Sequence, residues 1–292
     1  MPFSNTSSWT RTQGVVELQL WEALVLAVVQ GLTEFLPVSS SGHLVLTSWL
    51  LGVREPTIVY DILVHFGTLL AIFVAFWSEI KDVSGSLRTM LFQPRVFRAQ
   101  WRVVPAHRIL TAIIVGTFPA VLVALLFYST ITSLFSEPYF TGAMLIVTGT
   151  ILFVCERWPS RNRNLGEITL RDGLWIGLGQ ALAVLPGISR SGTTISAGLV
   201  RGLDRESAAR FSFLLTIPAI LGGMVLAVKD LMFGEVLTPY WILLIGVIVA
   251  AMTGFAAIQL LLLVVRRGRL TWFSYYTWGL GTIILVLWRL QA

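Results

Sequence analysis

"LTEFLPVSSSGHLVL", residues 32–46, sets an acid, a proline, three serines and a histidine inside a run that is otherwise soluble in lipid. Polar groups are costly to bury in such surroundings, so Glu34, Ser39, Ser40, Ser41 and His43 each need a partner or a use. The surroundings are those of a membrane. Of the 292 residues 55% are hydrophobic and 12% charged, against about 25% charged in a soluble globular domain, and mean hydropathy is +0.80. Long apolar runs separated by short charged loops fill the chain, so we expect one membrane domain over 1–292 and no separate soluble domain. A net charge of +6 suggests nucleic acid in a soluble protein. Here the basic residues sit between spans, where they orient the chain, and no nucleic-acid partner is expected. The first fourteen residues are polar, and the run after them holds Glu17 and Glu22, which argues against a cleaved signal peptide. The single cysteine, Cys155, cannot form an intrachain disulfide and reads as an apolar filler.

Six segments are long enough to cross a bilayer, which takes about 20 apolar residues: roughly 57–78, 108–128, 139–158, 206–228, 238–265 and 272–291. Two further stretches, about 16–52 and 172–203, are apolar at both ends but interrupted by LPVSSSGH and LPGISRSGTT. Each half is too short to span, so each stretch reads as a re-entrant helical hairpin. The hairpins repeat each other. A shift of 150 residues aligns Gln30 with Gln180, Ser39 with Ser189, Ser41 with Ser191, Gly42 with Gly192, Gly52 with Gly202 and the acids Glu22 and Asp172. A shared glutamine and an S-x-S-G core in register point to internal duplication. Three spans separate the copies, an odd number, so the second enters the membrane from the opposite face. The expected fold is an all-α polytopic membrane protein of two inverted-topology repeats, about 16–128 and about 172–265, with six spanning helices and two re-entrant hairpins.

Under this topology the loops at 79–108, 157–171, 201–210 and 266–269 share one side and hold most of the 21 Lys and Arg residues. That bias assigns the side to the cytoplasm of a cell membrane and places both termini outside. Hairpin one then enters from the outer face and hairpin two from the inner, so the two polar motifs meet near the middle of the protein, in a site expected to open outward.

Non-helical backbone at membrane depth survives where it is buried in protein or lines a wet cavity, and a ligand can partner its freed amides. In the second motif the amides that open a new helix, the hydroxyls of Ser189, Ser191, Thr193 and Thr194, and the guanidinium of Arg190 suit phosphate. The plainer role for Arg190 is as a structural partner of Glu34, and the two are compatible. In the first motif Gln30 and Glu34 lie four apart on one helical face and are candidates to hold a divalent cation, with substrate phosphate completing the shell as Mg²⁺ prefers. His43 is a candidate nucleophile or general acid or base. The serines at 39–41 have a plain role as helix caps, yet Ser40 aligns with Arg190, so duplication does not explain it. Asp61 and His65, four apart on the next helix, read as a local pair or a supporting contact.

QGLTEFLPVSSSGH and PGISRSGTT resemble the two signature regions of the undecaprenyl-diphosphate phosphatase family, also called bacitracin resistance protein, and the resemblance runs through essentially the whole chain. It implies a membrane enzyme that removes the terminal phosphate of a polyprenyl diphosphate carrier, giving the monophosphate reused in cell-wall synthesis. It carries the family's serine and histidine onto Ser40 and His43, either of which would attack phosphorus, and its second signature onto Pro186, Gly187, Ser189, Arg190, Ser191 and Thr194. Relatives with two glutamates differ from this chain, which has Gln30 and Glu34. The expected cofactor is a divalent cation, Mg²⁺; the expected partner is the polyprenyl diphosphate lipid. The rival reading is a transporter or flippase for a phosphate-bearing lipid or anion, since inverted repeats with broken helices are the usual build of secondary transporters. The sequence sets neither the lipid chain length nor the oligomeric state.

Overall fold

The structure, a computed structural model, describes residues 18–53, 58–135, 137–158, 162–231 and 238–291. The expected start of hairpin one at 16, the remainder of the N-terminal segment and Arg54 lie outside the described residues. Within them the chain is helical, with no strand. In order the helices are α1 (Leu20–Phe35), α2 (Ser40–Leu51), α3 (Ile58–Ala75), α4 (Trp77–Phe92), α5 (Pro94–Gln100), α6 (Pro105–Leu126), α7 (Tyr128–Phe135), α8 (Pro138–Glu156), α9 (Leu170–Leu182), α10 (Arg190–Val200), α11 (Arg205–Leu231), α12 (Tyr240–Arg266) and α13 (Thr271–Gln291).

Among the described residues α6, α8, α11 and α12 are long and apolar enough to cross a membrane, and α3 with α4 makes a fifth candidate bent by 91°. This is a multi-pass membrane protein. The six segments expected to span fall on α3, α6, α8, α11, α12 and α13. The first half of α13, TWFSYYTWG, is rich in aromatic and hydroxyl residues, which keeps that helix below the same threshold of apolarity. The charged segment 79–108, expected as a loop, instead forms α4 and α5. Its charges are interleaved with Leu87, Leu91, Phe92 and Val96, all exposed, and Pro94 opens α5 at a position where a missing N–H is harmless.

Both interrupted stretches fold as helix, break, helix. In each the serine of the S-x-S-G core caps the second half: Ser39 Oγ accepts from the Gly42 amide at 3.4 Å and Ser189 Oγ from the Gly192 amide at 3.1 Å. In each the two outer serines of the core lie 3.2 Å apart, and a glycine of positive φ, Gly52 or Gly202, follows the second helix. Packing follows the same exchange: α1 lies along α12 and α9 along α6, while α8 and α13 pack on each other. Phe35, Phe76, Phe211 and Phe213 fill the core between α1, α3 and α11.

The freed backbone of the second break is paired by α8. Thr148 Oγ1 donates to the Gly187 carbonyl at 3.0 Å and accepts from the Ser189 amide at 3.0 Å. Gly187 has φ +90°, and a Cβ there would clash with the carbonyl oxygen of Thr141, so no other residue fits. The first break ties to the second through Ser191, whose hydroxyl donates to the Leu36 carbonyl at 3.1 Å.

The basic segments gather at one end of the bundle. Arg163 and Arg201 pair with Asp172, Arg210 with Glu79 and Glu206, Arg266 with Glu206, and Arg205 with Glu156. The contacts link the starts of α4, α9 and α11 to the ends of α8, α10 and α12.

Candidate active site

The two breaks meet at the wall of a cavity of about 580 Å³. Its polar lining comes from Thr33, Glu34, Ser39, Ser40, Ser41, His65, Gln180, Ser189 and Arg190. Glu34 closes α1 and is buried at 5% exposure. One of its oxygens accepts from the Arg190 guanidinium of hairpin two. The other, Oε2, accepts from Gln30 Nε2 at 2.9 Å and from the Ser40 hydroxyl at 2.7 Å. A carboxylate buried in a membrane protein needs such a set, and Arg190 supplies the countercharge that removing would leave it without. The first turns of α2 and α10 start at this same wall, so two positive helix ends point toward it.

The rest of the cavity is apolar. Ala120, Val121, Ala124 and Leu125 of α6 line it, as do Pro218, Ala219, Leu221 and Val225 of α11, and the Thr117 hydroxyl at its edge is turned back onto the Ile113 carbonyl at 2.8 Å. α11 starts among the ion-paired basic residues and α6 starts with Pro105 against Gly166 nearby, and the lining comes from the far halves of both, so the cavity runs away from the basic end. Val121, Leu125, Leu221 and Val225 are also exposed, so the cavity is open and apolar along α6 and α11. Each of these helices carries a T-x-P-A sequence at the lining, Thr117–Ala120 and Thr216–Ala219, a match that the sequence offers without marking it as a site.

The candidate residues divide into two groups. Gln30, Glu34, Ser40, Ser189 and Arg190 come together at the wall. Ser191, Thr193 and Thr194, expected around phosphate, have their hydroxyls engaged in the scaffold: Ser191 on Leu36, Thr193 on the Ser189 carbonyl at 2.9 Å, and Thr194 on the Arg190 carbonyl at 2.7 Å and Ser212 at 2.6 Å. For Thr193 and Thr194 the reason is helical phase, because hydroxyls in a first turn reach back to the carbonyls three and four residues earlier. His43 also turns away from the cavity. Its Nδ1 donates to the Ser39 carbonyl at 2.8 Å and its Nε2 accepts from the Tyr276 hydroxyl of α13 at 2.7 Å, so both ring nitrogens are used. His65, expected only in support, lines the cavity instead. Its Nδ1 donates to the Asp61 carbonyl at 2.7 Å, and its Nε2 lies 3.8 Å from Glu34 Oε2.

The chain matches the family model "Bacitracin resistance protein BacA" over residues 23–283. A protein of Carboxydothermus hydrogenoformans named undecaprenyl-diphosphatase is 43% identical over 273 residues, 91% of this chain and 97% of its own. One of the same name from Halothermothrix orenii is 38% identical, covering 92% and 98%, and another, from Methanobrevibacter smithii, is 41% identical over the same shares. With a match that takes in both breaks and the helices that hold them, the chain belongs to the bacitracin resistance protein BacA family.

Proposed function

We propose that this protein hydrolyses the terminal phosphate of undecaprenyl or a similar polyprenyl diphosphate, giving the monophosphate carrier lipid and inorganic phosphate. One observation carries the reading: a hydroxyl, a carboxylate and a guanidinium from two hairpins converge at the polar end of a cavity whose other end is apolar and opens on the bundle surface. A diphosphate on a long isoprenoid has those two ends.

In this reading the terminal phosphate binds between the first amides of α2 and α10 and draws Arg190 onto its oxygens in bidentate fashion. Arg190 then stabilises the charge that spreads over the transferring group. Glu34, released from its countercharge, becomes the stronger base and takes the Ser40 proton along their hydrogen bond. Ser40 Oγ attacks phosphorus, the bond to the bridging oxygen breaks, and its electron pair leaves with the prenyl monophosphate. Glu34 passes that proton to the departing oxygen, takes one from the water that attacks the phosphoserine, and returns it to Ser40 Oγ as the serine–phosphorus bond breaks and inorganic phosphate leaves. His43 is assigned to positioning: with both ring nitrogens bonded it holds the first turn of α2 against α13. Gln30 orients Glu34.

For a divalent cation the donors on hand are Glu34, the Oε1 of Gln30, which is buried without a partner, and substrate oxygens. No three His, Cys, Asp or Glu residues gather among the described ones to hold a metal alone. That set fits a cation carried in on the diphosphate, Mg²⁺ by its preference for phosphate oxygens. When bound it would offset the charge on the phosphates.

The membrane arrangement is proposed with it: one domain over 1–292, two inverted repeats at about 16–128 and 172–265, six spans with two re-entrant hairpins, the basic end in the cytoplasm and both termini outside. The cavity then opens toward the outer leaflet, and the prenyl tail enters between α6 and α11. A cysteine placed at Ser133 on α7 should react with a membrane-impermeant reagent from outside; reaction only from the cytoplasm overturns the orientation. Purified protein in detergent with Mg²⁺ should release one phosphate per prenyl diphosphate. Folded protein that releases none with Mg²⁺, Ca²⁺ or Mn²⁺ overturns the function.

A further inference from the structure

Gln180 stands on α9 at the position that matches Gln30 on α1, 150 residues away. Gln30 has a use, since its amide donates to Glu34 four residues on. Four residues after Gln180 comes Val184, which offers no acceptor. Gln180 is 2% exposed and forms part of the cavity wall, yet neither its Nε2 nor its Oε1 meets a hydrogen-bond partner among the described residues. A buried amide without a partner is destabilising, and where one persists beside a cavity a ligand is the natural partner.

The packing says which part of a ligand it would meet. α9 runs parallel to α6 in close contact, with Gly173 against Ala112 and Gly177 against Gly116. One turn further this register sets Gln180 beside Pro119 and Ala120, where the polar lining of the breaks gives way to the apolar lining of α6. Arg190, Ser40 and the two helix ends lie on the polar side of that boundary. A prenyl diphosphate has one group there besides the terminal phosphate: the phosphate that stays on the lipid.

We propose that Gln180 binds the lipid-side phosphate, its amide N–H donating to a phosphate oxygen that stands where the Glu34 carboxylate stands beside Gln30. The assignment rests on the diphosphatase reading and adds a second subsite to it. The first holds the group that is removed, and the second holds the group that is kept. A site so divided discriminates a lipid diphosphate from a lone phosphate by the second contact.

The test compares wild type with Gln180→Leu, Gln180→Met and Gln180→Glu in the full chain in detergent. It measures binding of a prenyl monophosphate and of inorganic phosphate directly, apart from turnover, together with the midpoint of thermal unfolding. Loss of the amide should weaken prenyl monophosphate binding about tenfold in Gln180→Leu and Gln180→Met, a change of one hydrogen bond. Gln180→Glu, which sets a negative charge against the phosphate, should weaken it further. Inorganic phosphate, which fills the terminal subsite, should bind within twofold of wild type. The ligand-free Gln180→Leu protein should unfold at or above the wild-type temperature, because an unpaired buried amide has been removed; a residue kept for structure would lower it. If Gln180→Leu fails to fold, the near-isosteric Gln180→Met carries the comparison. Unchanged monophosphate binding overturns the proposal, as does a loss confined to inorganic phosphate, which would place Gln180 at the terminal subsite. Wild-type protein that binds prenyl monophosphate but cleaves no diphosphate would sink the diphosphatase reading instead, and the binding comparison would still be decided on its own.

Discussion

Hairpin one and hairpin two solve the same backbone problem with different side chains. Both end one helix, turn, and restart another under a serine cap, and in both the cap reaches the glycine three residues on. They differ in sequence at several positions and in the contacts of others, and these differences have consequences. Ser40 stands where hairpin two has Arg190, and Glu34 where it has Val184, so one copy supplies the hydroxyl and the acid and the other the cation. His43 stands where hairpin two has Thr193, and both donate to the carbonyl of the capping serine, at 2.8 and 2.9 Å. That shared bond is why His43 reads as framework. Ser191 is tied to Leu36, whereas its counterpart Ser41 lines the cavity. The turns themselves differ too: hairpin two bends at Gly187 with φ +90°, and hairpin one puts the strain on Ser39 itself, at φ 69°. A non-glycine residue in that region is costly and concentrates at functional sites. The two breaks share a scaffold, and the proposed chemistry lies in the residues at which they differ.

If the hydroxyl of hairpin one is the attacking group, Ser40→Ala should lower kcat by about 10⁴-fold or more while substrate still binds. A loss under tenfold would return the step to water or to a histidine. Arg190→Ala should lower kcat/KM by about 10³-fold, and Arg190→Lys should recover little of it, because an ammonium lacks the planar fork. Full recovery by lysine would mean that only the charge matters. His43→Ala should be milder, about 10²-fold, through displacement of the α2 turn; parity with Ser40→Ala in kcat would contradict a positioning role. Stability separates the breaks in turn. Thr148→Val should destabilise the protein by about 1–3 kcal/mol, since it strips both bonded groups of hairpin two, and calorimetry in detergent reads this directly. The smallest effect is expected at Ser191→Ala: a loss of about 1 kcal/mol of stability, with turnover changed only a few-fold. A large loss of turnover there would put Ser191 on the phosphate after all.

Much of this was legible in the sequence because lipid makes polar residues conspicuous. Glu34 and Arg190 stand out as charges in apolar runs, and the repeated S-x-S-G core marks both breaks. Ser40 stood out for the opposite reason, as the position where the repeat fails. The orientation of side chains was not legible. Whether His43 faces the site depends on which side of α2 meets α13, and the contact that decides it, with Tyr276, lies 233 residues away. The cavity walls were hidden for another reason: the lining halves of α6 and α11 are apolar on nearly every side, so periodicity does not single out the face that lines a cavity. Segment 79–108 was misread because its charges resemble those of a loop, although they alternate with apolar residues at helical spacing.

The central claim is that one hydroxyl from hairpin one and one guanidinium from hairpin two act on a single phosphate. The direct measurement is a rapid-quench reaction with a prenyl diphosphate labelled in its terminal phosphate, followed by mapping of label on the wild-type, Ser40→Ala and Arg190→Ala chains. The account predicts label on the peptide holding Ser40 in wild type, none in Ser40→Ala, and much slower labelling in Arg190→Ala. Label on His43, or undiminished turnover by Ser40→Ala, would contradict it.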